Sequence, residues 1–128
     1  MNETNSEKVR IFMETFGQLL PESSTIPHDS IIKLRILLIE EELGEFYKAL
    51  EQKDIVGIAD GLTDLLYVIY GTGHAFGIDL DKTFTEVHSS NMSKLGTDGK
   101  PLRDNNGKVA KGPNYIPPDI KSILSEHK

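Results

Sequence analysis

The sequence predicts an all-α fold: a bundle of four main helices followed by a basic, extended C-terminal tail. Three observations lead there. Apolar residues recur at helical spacing through four successive stretches, each preceded by a residue able to cap a helix. Gly and Pro then concentrate in residues 95–118, which hold four of the 11 Gly and four of the six Pro and interrupt any further long element. Finally, 128 residues with 38% hydrophobic content suffice for one domain with its own core. We expect a single domain over 1–128, with core helices over about 4–94 and the tail over 95–128.

The elements follow in order. Thr4-Asn5-Ser6-Glu7 reads as a capping box, in which hydroxyl and carboxylate satisfy free amides of a helix start. Val9, Phe12, Met13, Phe16, Leu19 and Leu20 continue that helix and Pro21 stops it. Residues 21–29 connect. Asp29 or Ser30 caps the second helix, running from about Ser30 to Gln52. Asp54 caps a third, which reaches about Phe76 and is ended by Gly77; Asp79 or Asp81 caps a fourth, reaching about Lys94. In the tail, Lys100–Arg103 and Lys108–Lys111 flank Asn105-Asn106-Gly107, the pattern of a small hairpin too polar to stand alone. Asp119 caps a last short helix ending near Glu126.

Composition excludes several functions. Without Cys there is no disulfide scaffold, thiolate zinc site or cysteine nucleophile. Together with the lack of a secretory leader at Met1, this leads us to expect a cytoplasmic protein. A net charge of −6 argues against capture of nucleic acid or anionic membrane by bulk charge. No GxxxxGK[ST], GxSxG or HExxH is present.

Chemistry concentrates in two acid sets. On the second helix, Ile31, Leu34, Leu38 and Ala49 form an apolar stripe within about 60° of arc, and Glu41, Glu42 and Glu45 land on or beside it. Like charges one turn apart repel, and more so as water is excluded; a divalent ion removes that repulsion. A solvated Glu-rich face is the competing reading, since Glu favours helices. The third helix is more informative. From Ile55 to Ile78, 24 residues contain no Lys, Arg or Glu, and the only formal charges are Asp60 and Asp64 at i and i+4. A helix apolar nearly all round is normally central to its protein, and Asp is rarely buried unless paired or holding metal. The two Asp and five Gly of this stretch argue against a membrane span. Gly57, Gly61 and Gly71 lie on the Asp side, which points to close packing or a ligand. His74 and Tyr67 read as core residues.

If the two helices form an antiparallel hairpin, Glu41, Glu42, Glu45, Asp60 and Asp64 converge as an all-oxygen site. Such a site suits Mg²⁺ first and Mn²⁺ second, with phosphoryl chemistry as its natural use. Lys94, Lys100, Arg103, Lys108 and Lys111 against Asp98 and Asp104 make residues 94–111 net basic in an acidic chain; Arg103 and Lys111 are candidates to contact a polyphosphate.

The motifs in order resemble a known pattern. Glu41-Glu42-Leu43-Gly44-Glu45, then 14 residues, then Asp60-Gly61-Leu62-Thr63-Asp64, together with SNMSK and KGPNYIPPDI, are similar to the all-α NTP pyrophosphohydrolases, in the MazG-like and phosphoribosyl-ATP pyrophosphohydrolase-like branch. The resemblance covers about residues 30–120. It implies a Mg²⁺-dependent enzyme that cleaves between the α and β phosphates of a nucleoside triphosphate to give monophosphate and pyrophosphate. It also implies a homodimer or homotetramer with a MazG-like bundle. Glu41, Glu42, Glu45 and Asp64 fall on the family's acidic positions, as metal ligands or with one glutamate activating water. Asn91 and Lys94 match a segment expected to contact base or phosphate. The family's second motif is ExxD; here Gly61 stands at its first position, and Asp60 is the nearest replacement. Two alternatives stay open: a phosphoribosyl-ATP pyrophosphohydrolase of histidine biosynthesis, and a non-catalytic metal-binding helical oligomer.

Overall fold

The computed structural model describes residues 2–125. They form five helices: α1 (Asn5–Thr15), α2 (Asp29–Glu51), α3 (Ile55–Ala75), α4 (Leu80–Met92) and α5 (Ile120–Ser125). The architecture is all-helical, as predicted. The chain divides into two compact units, the first ending at Leu80 and the second starting at Asp81.

In the first unit α3 packs against both α2 and α1. The α1 capping box forms as expected: the Glu7 amide donates to Thr4 Oγ1 at 3.1 Å, and the Thr4 amide donates to Glu7 Oε1 at 2.7 Å. All three helices of this unit end in the same way. Residues Gly17, Lys53 and Gly77 adopt φ of +83°, +52° and +69°. In each case the next amide reaches back five residues, from Gln18 to Met13 O, Asp54 to Ala49 O and Ile78 to Gly73 O. This left-handed closure satisfies carbonyls that the last turn leaves free.

Two boundaries differ from the sequence reading. Gly17 ends α1 before Pro21 is reached, so Leu19 and Leu20 lie outside the helix and Leu19 is 98% exposed. The α2 cap is His28 rather than Asp29 or Ser30: its Nδ1 accepts from the Ser30 amide at 3.1 Å, and the helix starts at Asp29. Asp54 stands at the α3 cap position, but its side chain makes no capping hydrogen bond.

The core is small. Val9, Met13, Ala49 and Ala75 are its buried apolar residues. By length and composition α3 could cross a membrane, yet its last turns are buried at Gly71, Gly73, His74 and Ala75. Its first turn is not: Ile55 and Val56 are 74% and 76% exposed. The expectation of a centrally buried helix thus holds for one end only. Two neighbouring helices cannot cover an apolar surface that runs nearly all round a third.

In the second unit α4 is held to the tail. Ser90 Oγ donates to the Ile116 carbonyl at 2.7 Å, the Ile116 amide donates to Ser93 Oγ at 2.9 Å, and the Asp119 amide donates to Glu86 Oε2 at 2.8 Å. The predicted hairpin shrinks to a single antiparallel bridge, Arg103 with Val109, closed by Gly107 at φ +80°. Asp104 Oδ1 accepts the amides of Asn106 and Lys108 and holds the turn. Asp119 caps α5 through the Ser122 amide and hydroxyl, and these bonds pull its pKa below the ordinary value.

Candidate active site

The two acid-bearing helices are joined by a tight turn of three residues, Gln52 to Asp54, which makes them antiparallel neighbours. Close approach is set by glycine. Gly61 is buried, and a Cβ there would lie 3.1 Å from the Phe46 Cα and 3.4 Å from its nitrogen. The position where the resemblance looks for a glutamate is therefore a helix–helix contact with no room for a carboxylate.

The acids divide by helical phase. Glu42 lies seven residues after Arg35 and four after Leu38, on the α2 face toward α3. With Asp64 it lines a cavity of about 360 Å³, whose other walls include Val9, Phe12, Met13, Leu38, Tyr67 and Val68. Glu41 and Glu45, about 100° and about 60° round the helix from Glu42 on the same side of it, line a separate open depression with Glu40, Gly44 and Lys48. Asp60 is exposed and lines neither. The expected single pocket of five carboxylates is therefore not what forms: Glu42 shares one cavity with Asp64, while Glu41 and Glu45, one turn apart on α2, share another. Among the described residues, no group of three or more His, Asp or Glu side chains is disposed as a metal cage.

The acids nonetheless act on one another. The Glu42 pKa is raised, first by burial and then by the charges of Asp64, Glu41, Glu45 and Asp60. A pair of carboxylates facing one cavity, with further negative charge within electrostatic reach, fits Mg²⁺. That ion commonly takes one or two carboxylates and completes its shell with water and substrate phosphate.

The other predicted residues, Tyr67 apart, lie outside this cavity. His74 is a satisfied core histidine: Nε2 donates to the Ser6 carbonyl at 2.7 Å and lies 3.2 Å from Ser6 Oγ. Tyr67 sets its ring edge-on against Phe12, at 5.7 Å between centroids. Asn91 and Lys94 stand together at the end of α4 in the second unit, with the Lys94 amide donating to the Asn91 carbonyl. Arg103 spends Nη1 on the Gly107 carbonyl at 3.1 Å, and Lys111 Nζ lies 4.8 Å from the centre of the Tyr115 ring.

One site residue escaped the sequence reading. Arg35 is 7% exposed and lines the same cavity as Glu42 and Asp64. Its Nε donates to Thr72 Oγ1 at 3.2 Å and its Nη2 to the Val68 carbonyl at 3.0 Å. The signal was present: Arg35 sits on the apolar stripe beside Leu34 and Leu38, where a solvated arginine has no place.

Comparison with known proteins identifies the family. The profile of the phosphoribosyl-ATP pyrophosphohydrolase family matches residues 9–91. Protein L479 of Acanthamoeba polyphaga mimivirus, itself uncharacterised, is 34% identical over 114 residues; the match covers 84% of this chain and 42% of the viral protein, so the chain spans less than half of that relative's length. A crystal structure assigned provisionally as an NTP pyrophosphohydrolase from Exiguobacterium sp. 255-15 superposes with a TM-score of 0.51 at 25% identity, covering 94% of this chain and 92% of the other. With two thirds of its length matched by one profile and its acids on paired helices, the chain belongs to the phosphoribosyl-ATP pyrophosphohydrolase family.

Proposed function

We propose that the protein is a Mg²⁺-dependent nucleoside triphosphate pyrophosphohydrolase, releasing monophosphate and pyrophosphate, with Mn²⁺ as a second-choice ion. The observation that supports it most is the cavity that Glu42 and Asp64 both line, with Glu41, Glu45 and Asp60 near enough to help raise the Glu42 pKa. Glu42 and Asp64 would hold the metal, with Glu45 and Asp60 adding negative charge. When bound, Mg²⁺ supplies charge that acidifies water and neutralises phosphate oxygens. One of Glu41, Glu42 and Glu45 orients the attacking water and takes its proton. The water oxygen bonds to phosphorus as the bridging P–O bond breaks, and pyrophosphate leaves. Asn91, Lys94, Arg103 and Lys111 are the proposed contacts to substrate. The exposed apolar start of α3, Ile55 and Val56, supports a homodimer or homotetramer.

The test is pyrophosphate release from a panel of canonical and modified nucleotides, with Mg²⁺, Mn²⁺ or chelator. Glu45→Gln should lower kcat by roughly 10²-fold or more if it is the base. Orthophosphate as first product contradicts the proposal. The family match favours one second reading, hydrolysis of phosphoribosyl-ATP; activity on that substrate alone selects it. Melting that ignores divalent ions, with no pyrophosphate from any substrate, selects a non-catalytic oligomer.

A further inference from the structure

The geometry points to Arg35 as a specificity-determining residue that reads the nucleobase, favouring bases with two adjacent hydrogen-bond acceptors on one edge, guanine and cytosine, over adenine and uracil. This rests on the nucleotide reading above, and it deepens it at the far end of the same cavity.

Arg35 is a buried cation whose charge no carboxylate answers: among the described residues it forms no ion pair. One edge of the guanidinium, Nε and Nη2, is fixed on Thr72 Oγ1 and the Val68 carbonyl. Thr72 Oγ1 donates in turn to the Val68 carbonyl at 2.8 Å, so the anchoring atoms are themselves held. Nη1 has no hydrogen-bond partner among the described residues, and Arg35 lines both the Glu42–Asp64 cavity and a second one bounded by Gln18, Ile31, Leu34 and Ala75. The remaining edge, one N–H from Nη1 and one from Nη2, is therefore an unused fork of two parallel donors. Gly71 provides its seat, since a Cβ there would overlap Arg35 Nη2.

Position decides between phosphate and base. Arg35 lies seven residues from Glu42 on α2, about two turns or 10 Å along the axis. Phosphates gathered at Glu42 and Asp64 leave ribose and base to reach that far. The walls between are Phe12, Tyr67, Val68 and Leu38, which suit a planar base and offer no second cation to a buried phosphate. A fork of parallel donors pairs with guanine O6 and N7 or with cytosine O2 and N3. Adenine and uracil alternate donor and acceptor and satisfy only one arm. A bidentate pair of this kind discriminates by roughly 5- to 150-fold.

The experiment compares wild type, Arg35→Lys, Arg35→Met and Gly71→Ala, each with its melting curve. It measures kcat/KM for GTP, CTP, ATP and UTP by pyrophosphate release, and binding of the four monophosphates by calorimetry in chelator. Wild type should favour guanine or cytosine about 5- to 150-fold. Arg35→Met should collapse the ratio toward one. Arg35→Lys should not restore it, because an ammonium keeps the charge and loses the fork. Gly71→Ala, which displaces the guanidinium alone, should weaken the preference in a folded protein. Pyrophosphate release without base preference, or an Arg35→Met loss equal for all four bases, overturns the assignment while the proposed activity stands. Selective monophosphate binding without pyrophosphate release overturns the activity and supports Arg35. Neither binding nor release overturns both.

Discussion

Two glycines on facing helices should respond to the same substitution with opposite sign. Gly44, in the middle of α2, has nothing within 4 Å of the place a Cβ would occupy. Gly44→Ala therefore collects the helix-propensity gain alone, roughly 1 kcal/mol. Gly61, in α3, offers the same gain, but its Cβ would meet the Phe46 Cα at 3.1 Å, Cβ at 3.3 Å and nitrogen at 3.4 Å. These are backbone atoms or next to backbone, so relief requires α2 itself to move. Overpacking of this kind costs about 1–3 kcal/mol, which leaves Gly61→Ala up to about 2 kcal/mol less stable than wild type. At roughly 3–5 °C per kcal/mol for a chain of this size, the two variants should bracket wild type in a thermal melt followed by circular dichroism. Gly61→Glu, which installs the acid of the ExxD pattern, should be worse than Gly61→Ala. If Gly61→Ala melts as high as Gly44→Ala, the close contact between α2 and α3 is not real and the position of Asp64 relative to Glu42 must be redrawn.

Other substitutions probe the rest of the first unit. Glu42 is raised by burial and four neighbouring acids, so its ionisation costs more folded than unfolded; Glu42→Gln in chelator should raise the melting temperature at neutral pH, and the gain should shrink as pH falls into the range just above the usual carboxylate value, seen in melts from pH 7 to 5. Lys53 carries φ +52° without being glycine, and Lys53→Gly should add about 1 kcal/mol in chemical denaturation. Ser6 is 3% exposed with Oγ 3.2 Å from His74 Nε2; Ser6→Ala should cost about 1 kcal/mol while the bond from His74 to the Ser6 carbonyl keeps the imidazole in place, which its NMR tautomer signature would show.

Local chemistry was legible in the sequence wherever one residue type decides the outcome. The Thr4–Glu7 box, the Gly77 stop and the Asp119 cap each follow from a side chain and the amides beside it. His74 as a satisfied core residue was legible for a related reason, since an imidazole on an apolar helix needs one partner and Ser6 supplies it. What failed required knowledge of neighbours. Leu19 and Leu20 keep helical spacing, but the left-handed turn at Gly17 closes first. The wheel placed Glu41, Glu42 and Glu45 near one stripe, yet only Glu42 lines the cavity with Asp64, since Glu41 and Glu45 sit about 60–100° further round α2. Arg35 escaped notice because periodicity treats an arginine as surface, whereas its partners come from 33 and 37 residues away.

The three-residue joint between α2 and α3 has a consequence for how this chain tolerates change in length. A residue added there would break the closure in which Lys53 turns left-handed and the Asp54 amide reaches the Ala49 carbonyl, and with it the register that sets Asp64 in one cavity with Glu42. The joint works as a phase lock, and the distance in sequence between the two acid motifs decides which of their carboxylates meet. Insertions should be borne by residues 18–27, where no helix depends on the count, and rejected at Lys53.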